Sequence, residues 1–169
     1  MERIAKFEKV SFNRFFTDWS TAFPDDSDSR ISEIYDSIAL PVRATAGSAG
    51  YDFFLPDDIE LAPGEGALIP TGIRAKIADG WVLNIYPRSG LGFKFRLQLD
   101  NTVGIIDADY YNAANEGHIM IKVTNDGRNG KTLLLEAGKG FAQGVFLPFG
   151  VTVDDDADGE RVGGFGSTG

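Results

Sequence analysis

Cysteine is absent from the 169 residues, and histidine occurs once, at His118. The first absence excludes disulfides and thiolate metal sites; the second removes histidine-built zinc sites and Ser-His-Asp triads from the available chemistries. No run of about 18 apolar residues is present, as a membrane-spanning helix would need. The opening Met1-Glu2-Arg3-Ile4 does not read as a secretory leader. A cytoplasmic protein with no membrane partner is the expectation. Positive charge is also scarce. Sixteen Lys and Arg stand against 25 Asp and Glu, and the net charge of −9 repels a nucleic-acid polymer. A small anionic ligand stays possible where a few cations converge, or where a divalent cation bridges it to carboxylates. What is plentiful is apolar mass: 43% hydrophobic residues and 13 Phe, enough for one domain with a buried core.

The first forty residues differ in texture from the rest. Residues 4–10 alternate apolar and polar as a short strand does. Ser11 has the character of a helix N-cap, and Phe12, Phe15, Phe16, Trp19 and Phe23 follow at helical spacing. Pro24 and the Asp25-Asp26-Ser27-Asp28 run end that helix. Ile31, Ile34, Tyr35 and Ile38 mark a second one, which stops before Pro41. The aromatic stripe is expected to pack on the core or on a partner chain.

From Pro41 onward, short apolar runs are punctuated by Gly, Pro and Asp every eight to twelve residues. Expected strands are 51–55, 59–61, 67–70, 73–77, 81–86, 96–99, 103–106, 118–124, 132–136 and 141–148. Such spacing indicates an all-β sandwich, barrel or jelly roll. Asp126-Gly127 and Asn129-Gly130 are turn signals between two of the strands. Residues 154–160, nearly all Asp and Gly, read as a mobile arm leading to a glycine-rich end. The expected division is therefore residues 1–40 as a strand and helical extension, 41–153 as the β core, and 154–169 as the arm.

Five stretches carry polar groups suited to chemistry. Gly47-Ser48-Ala49-Gly50-Tyr51-Asp52 brings small residues to a carboxylate at a strand start. Pro87-Arg88-Ser89-Gly90-Leu91-Gly92 sets a guanidinium and a hydroxyl on a turn or helix N-terminus, a place that suits phosphate. In Gly104-Ile105-Ile106-Asp107-Ala108-Asp109-Tyr110, two acids at alternate positions share one side of an extended chain, and one of them can act as a general base. Phe141-Ala142-Gln143-Gly144 offers one amide in an otherwise apolar strand. The last nine residues, Arg161 to Gly169, combine four glycines, Ser167, Thr168, an arginine and Phe165, which is the makings of a phosphate cradle.

In this order the five stretches resemble the five motifs of the trimeric all-β dUTP pyrophosphatases, the dUTPase family, over roughly residues 38–169. The resemblance implies a jelly-roll-like (β-clip) fold and Mg²⁺-assisted hydrolysis of dUTP to dUMP and pyrophosphate. It also implies a homotrimer whose sites are shared between chains. Asp107 would orient and deprotonate the attacking water, and Tyr110 would lie under the deoxyribose and reject ribonucleotides. Asn101, with backbone groups of Gly104 and Ile106, would read the uracil edge. Arg88, Ser89 and the adjoining Gly90 would hold phosphates, and Gln143 would add a hydrogen bond nearby. Asp52 would hold Mg²⁺ through water. From the arm, Phe165 would stack on uracil while Arg161, Gly166, Ser167 and Thr168 clasp the phosphates. Asp109 is expected to hold its loop.

Two positions depart from the family pattern. The arginine that usually opens the fourth motif is replaced by Gly140, beside Lys139; the arginine of the fifth is displaced by one residue to Arg161. Lys139 can supply a point charge but no bidentate fork. Two rival readings share the fold: a dCTP deaminase, and a dUTPase-like protein that regulates a partner when it holds nucleotide.

Overall fold

The structure, a computed structural model, describes residues 2–159 and Gly163. The chain opens with β1 (Ala5–Lys9), α1 (Phe12–Ala22) and α2 (Asp28–Ser37). Strands β2 (Val42–Arg43), β3 (Tyr51–Phe54), β4 (Ile59–Leu61), β5 (Gly66–Pro70), β6 (Ile73–Ile77) and β7 (Trp81–Pro87) follow. After α3 (Ser89–Phe95) come β8 (Leu97–Leu99), β9 (Gly104–Ile106) and a 3-10 turn over Ala108–Asn112. The last three strands are β10 (Met120–Asn125), β11 (Leu133–Leu135) and β12 (Gly140–Pro148). All ten strands expected after Pro41 are present, and β2 is an addition.

Every strand pairing is antiparallel. The largest sheet runs β2-β3-β12-β7-β9, and smaller ones join β5-β10-β8, β11-β4 and β1-β6. Alternation explains the core. Along β6, Ile73, Ala75 and Ile77 point inward between Arg74 and Lys76, and β10 buries Ile121, Val123 and Asn125 in the same rhythm. Phe53, Ile69, Leu83, Ile85, Leu97, Ile106, Ile119 and Phe141 complete the interior.

The helical segment packs on this same core. Ser11 and Ser27 cap the two helices, their side chains accepting from the N–H groups of Arg14 and Arg30. On α1, Phe15 and Trp19 are fully buried, while Phe12 at the edge of the stripe is 38% exposed. The approach is close because residue 72 is glycine. At φ +72 it adopts a left-handed conformation, and a Cβ there would lie 2.3 Å from Ile38 and 3.3 Å from Phe15. Upstream, β1 pairs with β6 from Ala5↔Ile77 to Lys9↔Ile73, so the chain's start is stitched into the domain. Residues 151–159 are exposed and form neither helix nor strand.

Candidate active site

Strand register brings three of the five stretches to one place. Gln143 on β12 lies opposite Asp52 on β3 and opposite Tyr86 on β7. One residue past β7, the backbone N–H of Arg88 donates to the Phe141 carbonyl at 3.2 Å, and α3 begins at Ser89. Arg88 then reaches back across the strands. Its Nε stands 3.4 Å from Asp52 Oδ1, and its Nη1 donates to the Gly140 carbonyl at 3.4 Å. Asp52, Arg88, Ser89, Gly90 and Gln143 thus gather at one end of the β3-β12-β7 trio. Arg88, Ser89 and Gly90 are exposed to incoming ligand, whereas Asp52 and Gln143 are half-buried.

Two glycines make room for these side chains. A Cβ on Gly50 would sit 2.7 Å from Gln143 Oε1, and one on Gly140 would sit 2.7 Å from Arg88 Nη1. The family's fourth-motif arginine is therefore missing at a point that the Arg88 guanidinium itself covers. Lys139, the substitute considered from sequence, lies 3.9 Å from Glu136.

A second group forms around the hairpin between β8 and β9. Thr102 N–H donates to the Leu99 carbonyl at 2.9 Å and Val103 N–H to Asn101 at 2.7 Å, a tight reversal. Thr102 sits at φ +68, a costly conformation for a β-branched residue. Gly104 packs against Ile85, where a Cβ would approach to 3.1 Å. Asn101, Gly104 and Ile106 line a cavity of about 600 Å³ together with Leu68, Leu99 and Met120. A mostly apolar cleft with a few polar groups at its rim is the usual form of a small-molecule site.

Asp107 follows directly, half-buried, as the extended residue before the 3-10 turn, and its side chain makes no capping bond to that turn. Tyr110 is 2% exposed; its hydroxyl donates to the His118 carbonyl at 2.8 Å and accepts from Asn115 Nδ2 at 2.7 Å. His118 is buried, and both of its ring nitrogens are hydrogen-bonded. Its Nε2 accepts the Gly72 N–H at 2.8 Å, which leaves Nδ1 to carry the proton and donate to Asp18 Oδ2 at 2.6 Å.

Among the described residues no group of three or more His, Cys, Asp or Glu is placed to hold a metal ion. Asp52 contributes one carboxylate beside a guanidinium. That donor set suits Mg²⁺ arriving on phosphate oxygens and touching the protein through water, since this ion dehydrates reluctantly. Arg161, Phe165, Gly166, Ser167 and Thr168 lie outside the described residues. Sequence patterning gave no sign of the carboxylates Glu8, Asp18 and Glu116, because the partners Arg74, His118 and Ser11 that tie them into the fold are 66 to 105 residues away.

Antiparallel strands with chemistry-bearing loops at their ends, one loop offering a guanidinium and another a single carboxylate, define an all-β ligand-binding class. Known proteins specify it further. A family model described as dUTPase matches residues 36–169. The deoxyuridine 5'-triphosphate nucleotidohydrolase of Lactococcus lactis subsp. lactis (strain IL1403) is 45% identical over 135 residues, covering 78% of this chain and 89% of the relative. The crystal structure of dUTPase from Streptococcus mutans superposes with a TM-score of 0.63 at 37% identity, over 88% of this chain and 98% of that one. The fold is shared as well with a dUTPase of phage phi11 of S. aureus, in which a structural Mg(II) ion is coordinated (TM-score 0.63, 20% identity, covering 93% and 98%). The chain belongs to the dUTPase family.

Proposed function

We propose that the protein is a dUTP diphosphatase, hydrolysing dUTP to dUMP and pyrophosphate. The observation that carries this beyond family membership is the convergence of Asp52 on β3, Gln143 on β12 and Arg88 just past β7 onto one polar cluster. In the reaction, a water oxygen bonds to the α-phosphorus and its proton passes to Asp107. The bond from that phosphorus to the bridging oxygen breaks, and pyrophosphate leaves. Arg88 and Ser89, with the Gly90 backbone, hold the phosphates, and Gln143 steadies them. Positioning and charge stabilisation account for most of the rate, and the base for about 10²–10⁴-fold. Mg²⁺, when bound, would supply neutralisation of phosphate charge, and Asp52 is the residue that would hold it through water.

Selectivity rests on the second group. Asn101 and the backbone at Gly104 and Ile106 pair with uracil, and a tight hairpin leaves no room for thymine's methyl. Cytosine would leave buried donors and acceptors unmatched, a stronger discriminator than a methylene of fit. Tyr110 closes the sugar subsite against a 2′-hydroxyl. Tyr110 is 2% exposed in the single chain, so this role falls to the small part of its ring left uncovered.

The active form is a homotrimer. None of Asp52, Arg88, Ser89 and Gln143 lines the cavity bordered by Asn101 and Gly104, so neither group alone makes a site. Supply of the two from neighbouring chains completes one, with the 154–169 arm closing over it: Phe165 on the base, and Arg161, Gly166, Ser167 and Thr168 on the phosphates. A cytoplasmic location accords with the lack, among the described residues, of any helix long and apolar enough to cross a membrane. Assaying dUTP and dCTP side by side tests the reading. Pyrophosphate from dUTP is expected; ammonia from dCTP would place the protein with the deaminases.

A further inference from the structure

Residues 5–38 take no part in the reaction above, yet three points of that segment grip the loop that follows Asp107. Between Asp107 and His118 the loop is built from short turns. Tyr110 N–H donates to the Asp107 carbonyl at 3.2 Å, Ala113 N–H to Tyr110 at 3.0 Å, Glu116 N–H to Ala113 at 2.8 Å and His118 N–H to Asn115 at 3.1 Å. These local bonds shape the loop but do not say where it sits against the sheet.

Its placement comes from β6 and the turn before it, and from the N-terminal unit. Glu8 on β1 accepts the Tyr111 hydroxyl at 2.6 Å, and the Arg74 guanidinium lies 4.4 Å from the centre of the Tyr111 ring. Glu116 accepts both the backbone N–H and the hydroxyl of Ser11, at 2.8 and 2.6 Å, where α1 begins. His118 is the third tether, and the only one wholly out of water. Its Nδ1 proton goes to Asp18 at 2.6 Å, and Asp18 is braced by Arg14, whose Nε donates at 2.9 Å. Burial works against the charged Asp18 carboxyl, but the bonds from His118 and Arg14 prevail and hold it below the usual carboxylate range. From His118 the path returns to the catalytic end, since its carbonyl accepts the Tyr110 hydroxyl at 2.8 Å.

We propose that Asp18 is a positioning residue for catalysis: through His118 and Tyr110 it sets where Asp107 stands. The helical insertion is then part of the catalytic machinery's frame. The inference rests on the reading of Asp107 as the base. The physical reason is specific. Removing the Asp18 carboxylate strands a buried imidazole N–H, and a loop of short turns relieves that by shifting. A displacement near 1 Å at a reacting group is enough to cost up to about 10²-fold in rate.

The test uses full-length protein, with kcat and KM for dUTP measured separately at 25 °C and folding checked by thermal melting. Asp18→Ala is expected to lower kcat about ten-fold while KM changes less than about three-fold. Asp18→Asn, whose amide oxygen still accepts the Nδ1 proton, is expected to restore most of the loss. In an Asp107→Asn background, Asp18→Ala should cost nothing further, because the group it positions is gone. Unchanged kcat in folded Asp18→Ala, or the same fold-loss with and without Asp107, overturns the proposal. If Asp18→Ala does not fold, Glu116→Asn is the second probe. Asparagine tolerates the positive φ of 59 at that position but is too short to reach Ser11. A lower kcat supports the N-terminal unit as the frame that positions the loop, and an unchanged one overturns it. Wild-type turnover in Asp107→Asn alone overturns the base assignment, whereas loss there with unchanged Asp18→Ala overturns only the positioning role.

Discussion

Asp107, the proposed base, is the residue on which turnover is expected to depend most. Asp107→Asn removes the proton acceptor with little change of shape, so dUTP should still bind while kcat falls by about 10²–10⁴-fold. Equilibrium binding of a non-hydrolysable analogue and single-turnover kinetics check both halves. Gly117 illustrates a different dependence. It sits at φ +68, and a Cβ there would lie 2.6 Å from the Tyr110 carbonyl and 2.8 Å from Tyr111 Cα. Backbone cannot yield as a side chain does, so Gly117→Ala should destabilise by about 2 kcal/mol or more in urea unfolding. Much of the candidate site was legible at this level, because Arg88, Ser89 and Asp107 fall next to turns and Gln143 is a lone amide in an otherwise apolar strand. His118 was not. Its burial is decided by Asp18, a hundred positions away, and by the Gly72 backbone. No local pattern encodes either.

Among the elements, strands were the easiest to foresee and their partners the hardest. Period-two alternation marks β6 or β10 wherever they lie, but nothing in residues 5–9 announces that they pair with residues 73–77. β2 escaped because two residues are too short for a period. The α1 cap and stripe were legible since both are local. Strand β1 also carries a pH dependence. Lys6 and the Tyr111 hydroxyl hydrogen-bond to Glu8 and hold its carboxyl down to about 2, against an ordinary value of 4.5. A depressed value means that the charged form stabilises the fold. That contribution is fully present above the unfolded value and is lost as pH falls from 4.5 towards about 2. Glu8→Gln should therefore be less stable than wild type near neutrality, with the gap narrowing through this acid window. Urea midpoints at a series of pH values measure it.

For the whole molecule, the question is how two groups of site residues on one chain become one site. The proposed assembly into a trimer would answer it, and predicts that mixed trimers regain activity. Combining Arg88→Ala chains with Asp107→Asn chains should produce some sites that draw both intact residues from different subunits. Activity above that of either variant alone, after unfolding and refolding them together, is the expected result; none would show that each site lies within one chain. Deleting residues 161–169 should lower turnover and leave the trimer's size in solution unchanged. The −9 net charge is no obstacle to any of this, since it is a sum over the whole chain while the proposed phosphate contacts of Arg88 are local. One measurement bears most directly on the central claim: pyrophosphate release from dUTP, dCTP, dTTP, dATP, dGTP and UTP under identical conditions with Mg²⁺. Release from dUTP alone is predicted. Comparable release from dTTP or UTP would contradict the uracil and deoxyribose selectivity argued from Asn101, Gly104 and Tyr110, and no release from dUTP would contradict the account as a whole.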